Sequence, residues 1–336
     1  MVQEQEPAGV LAPAAEPERP TGRGLLVGAA KFALAGVILY VLFRRGEIHL
    51  GQLGAALSHW WIPLLVVVLT AVSYFGQAFR WVLLLRSRDI HVRHWDAFRY
   101  LMIGKFFNLA VPGYFSEDFV RGLYLIRGRN GSRSKVVVSL VVDRVTGVFV
   151  LLLISVAGLL LRPSTLDDPR LGTMLGMSLA GIAAIFALVL FLRLCPQPHE
   201  LLRRGAERLR LHVAVDKVYA EARHYAVNLR LQAVTIAISL FNQGLMVACF
   251  GFFGQTLGMT GVHAADYLIF VPLGVLATML PVAPLGLGVG HVAFLTLFKL
   301  AGSGEGANLF SLYTAVVILL SLTGGLFYLG NRGRNR

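Results

Sequence analysis

The sequence predicts an all-α integral membrane protein: six crossing helices plus two re-entrant helical hairpins, arranged as an inverted repeat. Three observations carry that prediction. Of 336 residues, 56% are hydrophobic, with a mean hydropathy of +0.67; soluble domains average about 45–50% apolar residues. Several apolar runs exceed the roughly 20 residues a bilayer crossing needs. Two of the apolar stretches, Ala97–Lys135 and Asp266–Leu300, are interrupted by Pro and Gly, at Pro112-Gly113 and within Leu280–His291 (LPVAPLGLGVGH).

The net charge of +13 does not point to nucleic acid. The basic residues cluster in short segments between apolar runs, which is the pattern of the positive-inside rule. Two cysteines, Cys195 and Cys249, set up neither a disulfide framework nor a metal site. No cofactor or metal is expected. No HExxH, GxSxG, Walker or Asp-rich motif occurs, so the chain is expected not to be an enzyme.

Residues 1–23 are rich in Pro, Ala and Glu and predict a disordered cytoplasmic tail. A single polytopic domain covers 24–331, and 332–336 form a basic cytoplasmic tail. Leu25–Phe43 is the first span; its apolar run is longer than the usual 7–15 residues of a signal-peptide core, so it reads as an uncleaved anchor. Trp60 and Trp61 mark an interface before the second span, Trp61–Leu85. Arg80 and, further on, Lys105 are expected to snorkel toward water.

After the first broken stretch come Val136–Leu161, with Asp143-Arg144 inside it, and Leu171–Leu194. The segment 194–230 is the one long loop. From Val215, apolar residues recur at helical spacing opposite Arg and Lys. Two readings fit: an amphipathic helix on anionic inner-leaflet lipid, or a helix packed on the protein. Leu231–Leu257, the second broken stretch and Asn308–Leu329 complete the domain.

The basic segments decide the topology. If Ala97–Lys135 crossed fully, either Arg86–Arg93 or Arg127–Lys135 would lie outside, against the positive-inside rule. If it dips in and returns, every strongly basic segment falls on the cytoplasmic side, as do both termini. Each half then reads span, span, broken hairpin, span, over about 25–161 and 171–330, in opposite orientations. That is the inverted repeat of many transporters. Ordinary kinks in crossing helices are the alternative.

Broken backbone at membrane depth survives only when buried in protein or lining a wet cavity, so both breaks are candidate substrate sites. In the first, Pro112 breaks the helix and Ser116 suits the N-cap of the next one. Glu117 and Asp118 fall in its first turn, where carboxylates suit the helix dipole or contact a head group. Arg121 is spaced to pair with Glu117 at i+4 or to grip a phosphate. Asn108 is placed to bond the freed carbonyls.

In the second break, Pro284, Gly286, Gly288 and Gly290 precede a helix whose first turn holds His291. Bare amides there suit an anion; close packing through small residues suits the pattern equally. Asp143 and Arg144 point to different faces of their span, so each needs a partner elsewhere. Arg144 with Glu117 or Asp118, and Asp143 with Arg121, makes a network. Such a network either closes a static clasp or serves function.

These motifs resemble the flippase-like family that includes the transmembrane region of lysylphosphatidylglycerol synthase, the bacterial multiple peptide resistance factor. The resemblance rests on Gly104-x-Phe106-Phe107-Asn108, Pro112-Gly113, Asp118 and Arg121, on Asp143-Arg144, and on Pro281-x-x-Pro284-x-Gly286-x-Gly288. It implies a bacterial inner-membrane protein with a lipid-translocating domain. An aminoacyl-transferase domain does not follow the last span, so lysyl-lipid synthesis is not expected. Ser116-Glu117 stands where the family usually has small, glycine-rich residues, and His291 where it usually has a glutamate. The expected function is translocation of a lipid, or lipid-linked amphiphile, with a polar or charged head group. The alternative is a non-transporting partner of an envelope lipid or glycan synthesis enzyme.

Overall fold

A computed structural model describes residues 60–109, 115–127, 133–162, 168–196, 212–279 and 284–332. The N-terminal tail, the predicted first span Leu25–Phe43, Pro112, Pro281 and the last four residues lie outside the described residues.

Ten α-helices form the described structure: α1 (Trp61–Arg86), α2 (His94–Asn108), α3 (Phe115–Arg127), α4 (Arg133–Leu161), α5 (Pro169–Leu194), α6 (His212–Val227), α7 (Leu229–Thr256), α8 (Ala264–Thr278), α9 (Val289–Leu300) and α10 (Gly306–Arg332). No strand occurs among the described residues. Five of the helices, α1, α4, α5, α7 and α10, are long and apolar enough to cross a membrane. At 1.5 Å per residue each measures about 40 Å, more than the roughly 30 Å of hydrocarbon. Their outward faces carry large apolar side chains, such as Phe75 and Phe79 on α1 and Phe186 and Leu190 on α5, which is the arrangement lipid favours.

The two interrupted stretches behave differently from the long helices. Helices α2 and α8 have 15 residues each, about 22 Å, too short to cross. Each then turns back on itself. In the first, Tyr100 meets Tyr124 with ring centroids 5.8 Å apart, and the Ser116 hydroxyl donates to Asn108 Oδ1 at 2.8 Å. In the second, Tyr267 and Phe270 meet Phe298 at 5.4 and 5.6 Å. Partners far from the break pair with partners far from it on the other side, so α2–α3 and α8–α9 are antiparallel helical hairpins.

Glycines make these hairpins tight. A Cβ at Gly104 would stand 2.7 Å from the Glu117 carbonyl oxygen, so only glycine lets α3 lie this close to α2. The second turn runs through a 3-10 segment, Pro284–Gly286, in which Leu285, Gly286 and then Gly288 take φ of 55°, 68° and 79°. Left-handed backbone at a non-glycine such as Leu285 is held only by its surroundings; here the side chain is buried among Phe106, Leu109 and Ile318.

The hairpins pack across the two halves of the chain. Helix α1 packs on α7, the α2 arm of the first hairpin on α10, and α4 on the α8 arm of the second. Apolar clusters fill both ends of the bundle. One joins Ile62 and Val66 of α1 to Ile154 and Leu159 of α4 and Phe250 of α7; the other joins Trp81 and Leu85 to Val136, Leu140 and Leu125. Between them, halfway along α1, α4 and α7, lies a polar layer at Ser73, Gly147 and Asn242.

Within the 194–230 segment, helix α6 meets the protein on one face. It packs on the bundle: the Tyr225 hydroxyl donates to the Leu84 carbonyl at 3.0 Å, the Tyr219 hydroxyl to the Cys195 carbonyl at 2.8 Å, and Arg88 pairs with Glu221. Val213, Val218 and Val227 remain exposed on it.

Candidate functional site

The polar layer is built from residues that share helix faces. On α1, Ser73, Gln77 and Arg80 follow one another at i, i+4 and i+7 and face inward, while Val72, Phe75 and Phe79 face outward. On α7, Ser239, Asn242, Gln243 and Met246 form the matching stripe. Helices α2, α3 and α4 bring Lys105, Glu117, Arg121, Asp143 and Arg144 to the same place. From the second half, Val275, Thr278, Leu285, Phe310, Tyr313 and Thr314 close it. Together they enclose a cavity of about 200 Å³.

The charged groups form one alternating chain. Arg80 Nε donates to Asp143 Oδ1 at 2.7 Å, and its Nη1 donates to the Ser239 hydroxyl. Asp143 Oδ2 lies 3.6 Å from Arg121 Nη2. Arg121 also pairs with Asp118, which in turn pairs with Arg144. Arg144 reaches Glu117 at 4.0 Å, and Glu117 accepts from Lys105 at 3.4 Å. Among the described residues the chain begins and ends on a cation, so four basic side chains face three carboxylates. Two aromatic faces support it: Arg121 lies 5.2 Å from the Trp81 centroid and Lys105 4.1 Å from that of Tyr74.

Most of this chain is deeply buried; Arg121 is 2% exposed and Asp143 3%. Arg144 is the open member, with 29% of its side chain accessible. Burying charges is costly unless each is paired and hydrogen-bonded, and the alternating order meets that need. What the order does not neutralise is the extra cation. The cavity therefore suits a small group carrying negative charge. Some lining atoms have no partner among the described residues: both amide atoms of Asn242, Gln243 Oε1 and, on the chain itself, Arg121 Nε.

The sequence-predicted residues separate into four sets. Glu117, Asp118, Arg121, Asp143 and Arg144 come together in the network, with Arg144 on both acids and Asp143 on Arg121. Arg121 takes Asp118 at i+3 rather than Glu117 at i+4, because Glu117 turns to Lys105 on the facing helix. Asn108 and Ser116 bond each other across the hairpin, and Ser116 falls inside α3, which begins at Phe115. Pro112 lies outside the described residues.

The second break contributes less. Pro284 opens the 3-10 turn, Gly286 is tucked against Thr278, Gly288 precedes α9, and Gly290 packs on the Phe310 ring. His291 accepts from the Gly288 amide through Nδ1 at 3.3 Å and meets the Ser311 hydroxyl through Nε2 at 2.9 Å. None of Gly286, Gly288, Gly290 and His291 lines the cavity, whereas Leu285 does.

Two expectations are corrected. Arg80 and Lys105 do not snorkel: Arg80 is 7% exposed, and both anchor the ends of the charged chain. Their aliphatic stems reach inward because carboxylates wait there. Gln77, Asn242 and Gln243 were not anticipated. The signal was present as polar residues four and seven apart inside apolar spans.

Comparison with known proteins agrees with this architecture. The family model described as the lysylphosphatidylglycerol synthase TM region matches residues 28–325, which includes both hairpins and the whole charged chain. No curated protein and no solved structure matches the chain. A match over nearly all of the sequence, on helices of membrane-crossing length, means that the chain belongs to the lysylphosphatidylglycerol synthase TM-region family and is a multi-pass membrane protein of a lipid-related kind.

Proposed function

We propose that this protein moves a lipid, or a lipid-linked amphiphile, across the bilayer, and that the head group it accepts carries negative charge. The observation that carries this reading is the alternating chain of four basic groups and three carboxylates around a cavity halfway along the crossing helices. Ionisable groups at membrane depth are expensive and mark pathways for polar cargo. A guanidinium open to the cavity, as at Arg144, suits a phosphate oxygen pair.

The packing supports an inverted repeat. Exchanging the halves maps the α1–α7 pair onto itself and the α2–α10 pair onto α8–α4. In transporters built this way the site lies near the midplane, where broken helices meet. Two hairpins entering from opposite leaflets would offer the cavity to each side in turn. The protein in this reading is not an enzyme. It sits in the bacterial inner membrane with both termini cytoplasmic, and anionic inner-leaflet lipid lies against the basic 194–230 segment.

Reconstitution tests this. In phosphatidylcholine vesicles holding fluorescent phosphatidylglycerol, added dithionite quenches only outer-leaflet label. The protein should expose the inner-leaflet half to quenching, and Asp118→Asn should stop this while the protein stays monodisperse in detergent. Quenching that stops at half, with or without protein, would remove the translocation reading. Co-purification of the inert protein with one envelope synthase would then favour the scaffold role.

A further inference from the structure

The cavity is smaller than the roughly 300–1,000 Å³ of a typical ligand site. At about 200 Å³ it has room for a head group and none for a hydrocarbon tail. The tail must lie elsewhere. Across the α1–α7 seam from the cavity is a second concavity of about 800 Å³, open along one side and almost wholly apolar. Phe75, Gly76 and Phe79 of α1 and Ala237, Ile238 and Phe241 of α7 form it.

Two features tie this groove to the cavity. Gly76 belongs to the groove wall and Asn242 to the cavity wall, and they touch: a Cβ on Gly76 would fall 2.1 Å from Asn242 Oδ1. At this point the partition is bare backbone against one amide. That amide is 4% exposed, and neither its nitrogen nor its oxygen has a partner among the described residues. Leaving both unpaired is unfavourable; a head-group phosphate or ester oxygen beside it would accept from the nitrogen, and a head-group hydroxyl would donate to the oxygen.

The groove also has the right place in the bilayer. Gly76 lies ten residues from the end of α1, about 15 Å at 1.5 Å per residue, which is half the hydrocarbon thickness. Near that end stands Trp95, 46% exposed and stacked on Phe98 at 5.4 Å; tryptophan favours the head-group level. The groove thus runs from one interface to the midplane.

From this geometry we infer that the α1–α7 groove binds one hydrocarbon chain of the transported amphiphile while its head group occupies the cavity, the two joined past Gly76 and Asn242. The inference rests on the translocation reading and adds to it the place of the tail. Its occupant is an acyl or prenyl chain bearing an oxygen-rich, anionic head.

The test uses full-length protein in phosphatidylcholine vesicles containing phosphatidylglycerol with a diazirine at one acyl-chain end. After irradiation, label should concentrate on Val72, Phe75, Phe79, Ala237, Ile238 and Phe241 and be displaced by unlabelled phosphatidylglycerol. Label no denser there than at Phe186 and Leu190, on the lipid-facing side of α5, overturns the inference, since that is ordinary annular lipid. Ala237→Trp, at an exposed position, fills the groove. It should cut both groove labelling and lipid movement about tenfold, the factor that goes with roughly one side chain's worth of apolar contact. Leu240→Trp, exposed on the same helix but outside the groove, should leave both unchanged. A labelled groove without lipid movement sinks translocation and keeps the groove. Movement with an unlabelled groove, indifferent to Ala237→Trp, sinks the groove and keeps translocation.

Discussion

Replacing Asp143 by Asn removes one negative charge from between two buried guanidinium groups. Arg80 donates to it at 2.7 Å and Arg121 stands at 3.6 Å, with the three residues 7%, 2% and 3% exposed in the order Arg80, Arg121, Asp143. Arg121 keeps Asp118, and among the described residues Arg80 keeps only the Ser239 hydroxyl. Breaking a buried pair on one side costs about 3–5 kcal/mol. With roughly 2–4 °C of melting temperature per kcal/mol in larger domains, the apparent Tm should fall on the order of 10 °C. The assay is thermal unfolding in detergent, followed by loss of the monodisperse peak. Adding Arg80→Gln to Asp143→Asn removes the stranded cation and should restore most of the loss, a non-additivity measurable as a double-mutant cycle. A single mutant within about 2 °C of wild type, well under the shift worked above, would mean that water already reaches the guanidinium groups, and the buried alternating chain would be refuted.

Three more outcomes follow from the same geometry. Asn242→Leu should raise the apparent Tm, because an apolar side chain replaces two unpartnered amide atoms, and should lower lipid movement; a loss of both would show that Asn242 serves the fold alone. Gly104→Val should destabilise by about 1–3 kcal/mol, read as a lower Tm, because a Cβ there meets the Glu117 carbonyl oxygen at 2.7 Å and forces the first hairpin apart. On α6, burial and then Arg88 hold His224 below its usual pKa of 6.5, against a weaker opposing pull from a backbone hydrogen bond at Ser87 and from Glu221 and Asp89. The unfolded helix therefore binds more protons as pH falls through about 6.5, so α6 should be held most firmly above that value and loosen below it. Hydrogen exchange of α6 at pH 7.5 and 5.5 measures this, and His224→Phe should flatten the difference.

Much of the scaffold was legible because membrane helices announce themselves by length. Trp61, Leu161 and Leu194 were marked as helix ends by apolar runs, and the structure ends α1, α4 and α5 within a residue or so of the same borders. Both breaks were legible through Pro and Gly. So was the pairing of Arg144 with Glu117 and Asp118, since adjacent opposite charges in a span must each look elsewhere. The burial of Arg80 and Lys105 was not legible. A cation near the end of a span can reach out or in with equal ease, and the choice depends on carboxylates 63 and 12 residues away. Asn242 was missed for a related reason: one amide in an apolar helix stands out only once its neighbours on the helix face are known to line a cavity.

The proposed translocation depends on a net-basic cavity at mid-membrane that passes anionic head groups. The most direct measurement compares dithionite-accessible movement of fluorescent phosphatidylglycerol and fluorescent phosphatidylcholine in identical vesicles, with wild type and Arg144→Gln. One charge-assisted contact at about 1.5–3 kcal/mol predicts that wild type favours the anionic lipid by about tenfold or more, and that Arg144→Gln erases the preference. Equal rates for the two lipids with wild type, or a preference untouched by Arg144→Gln, would contradict it.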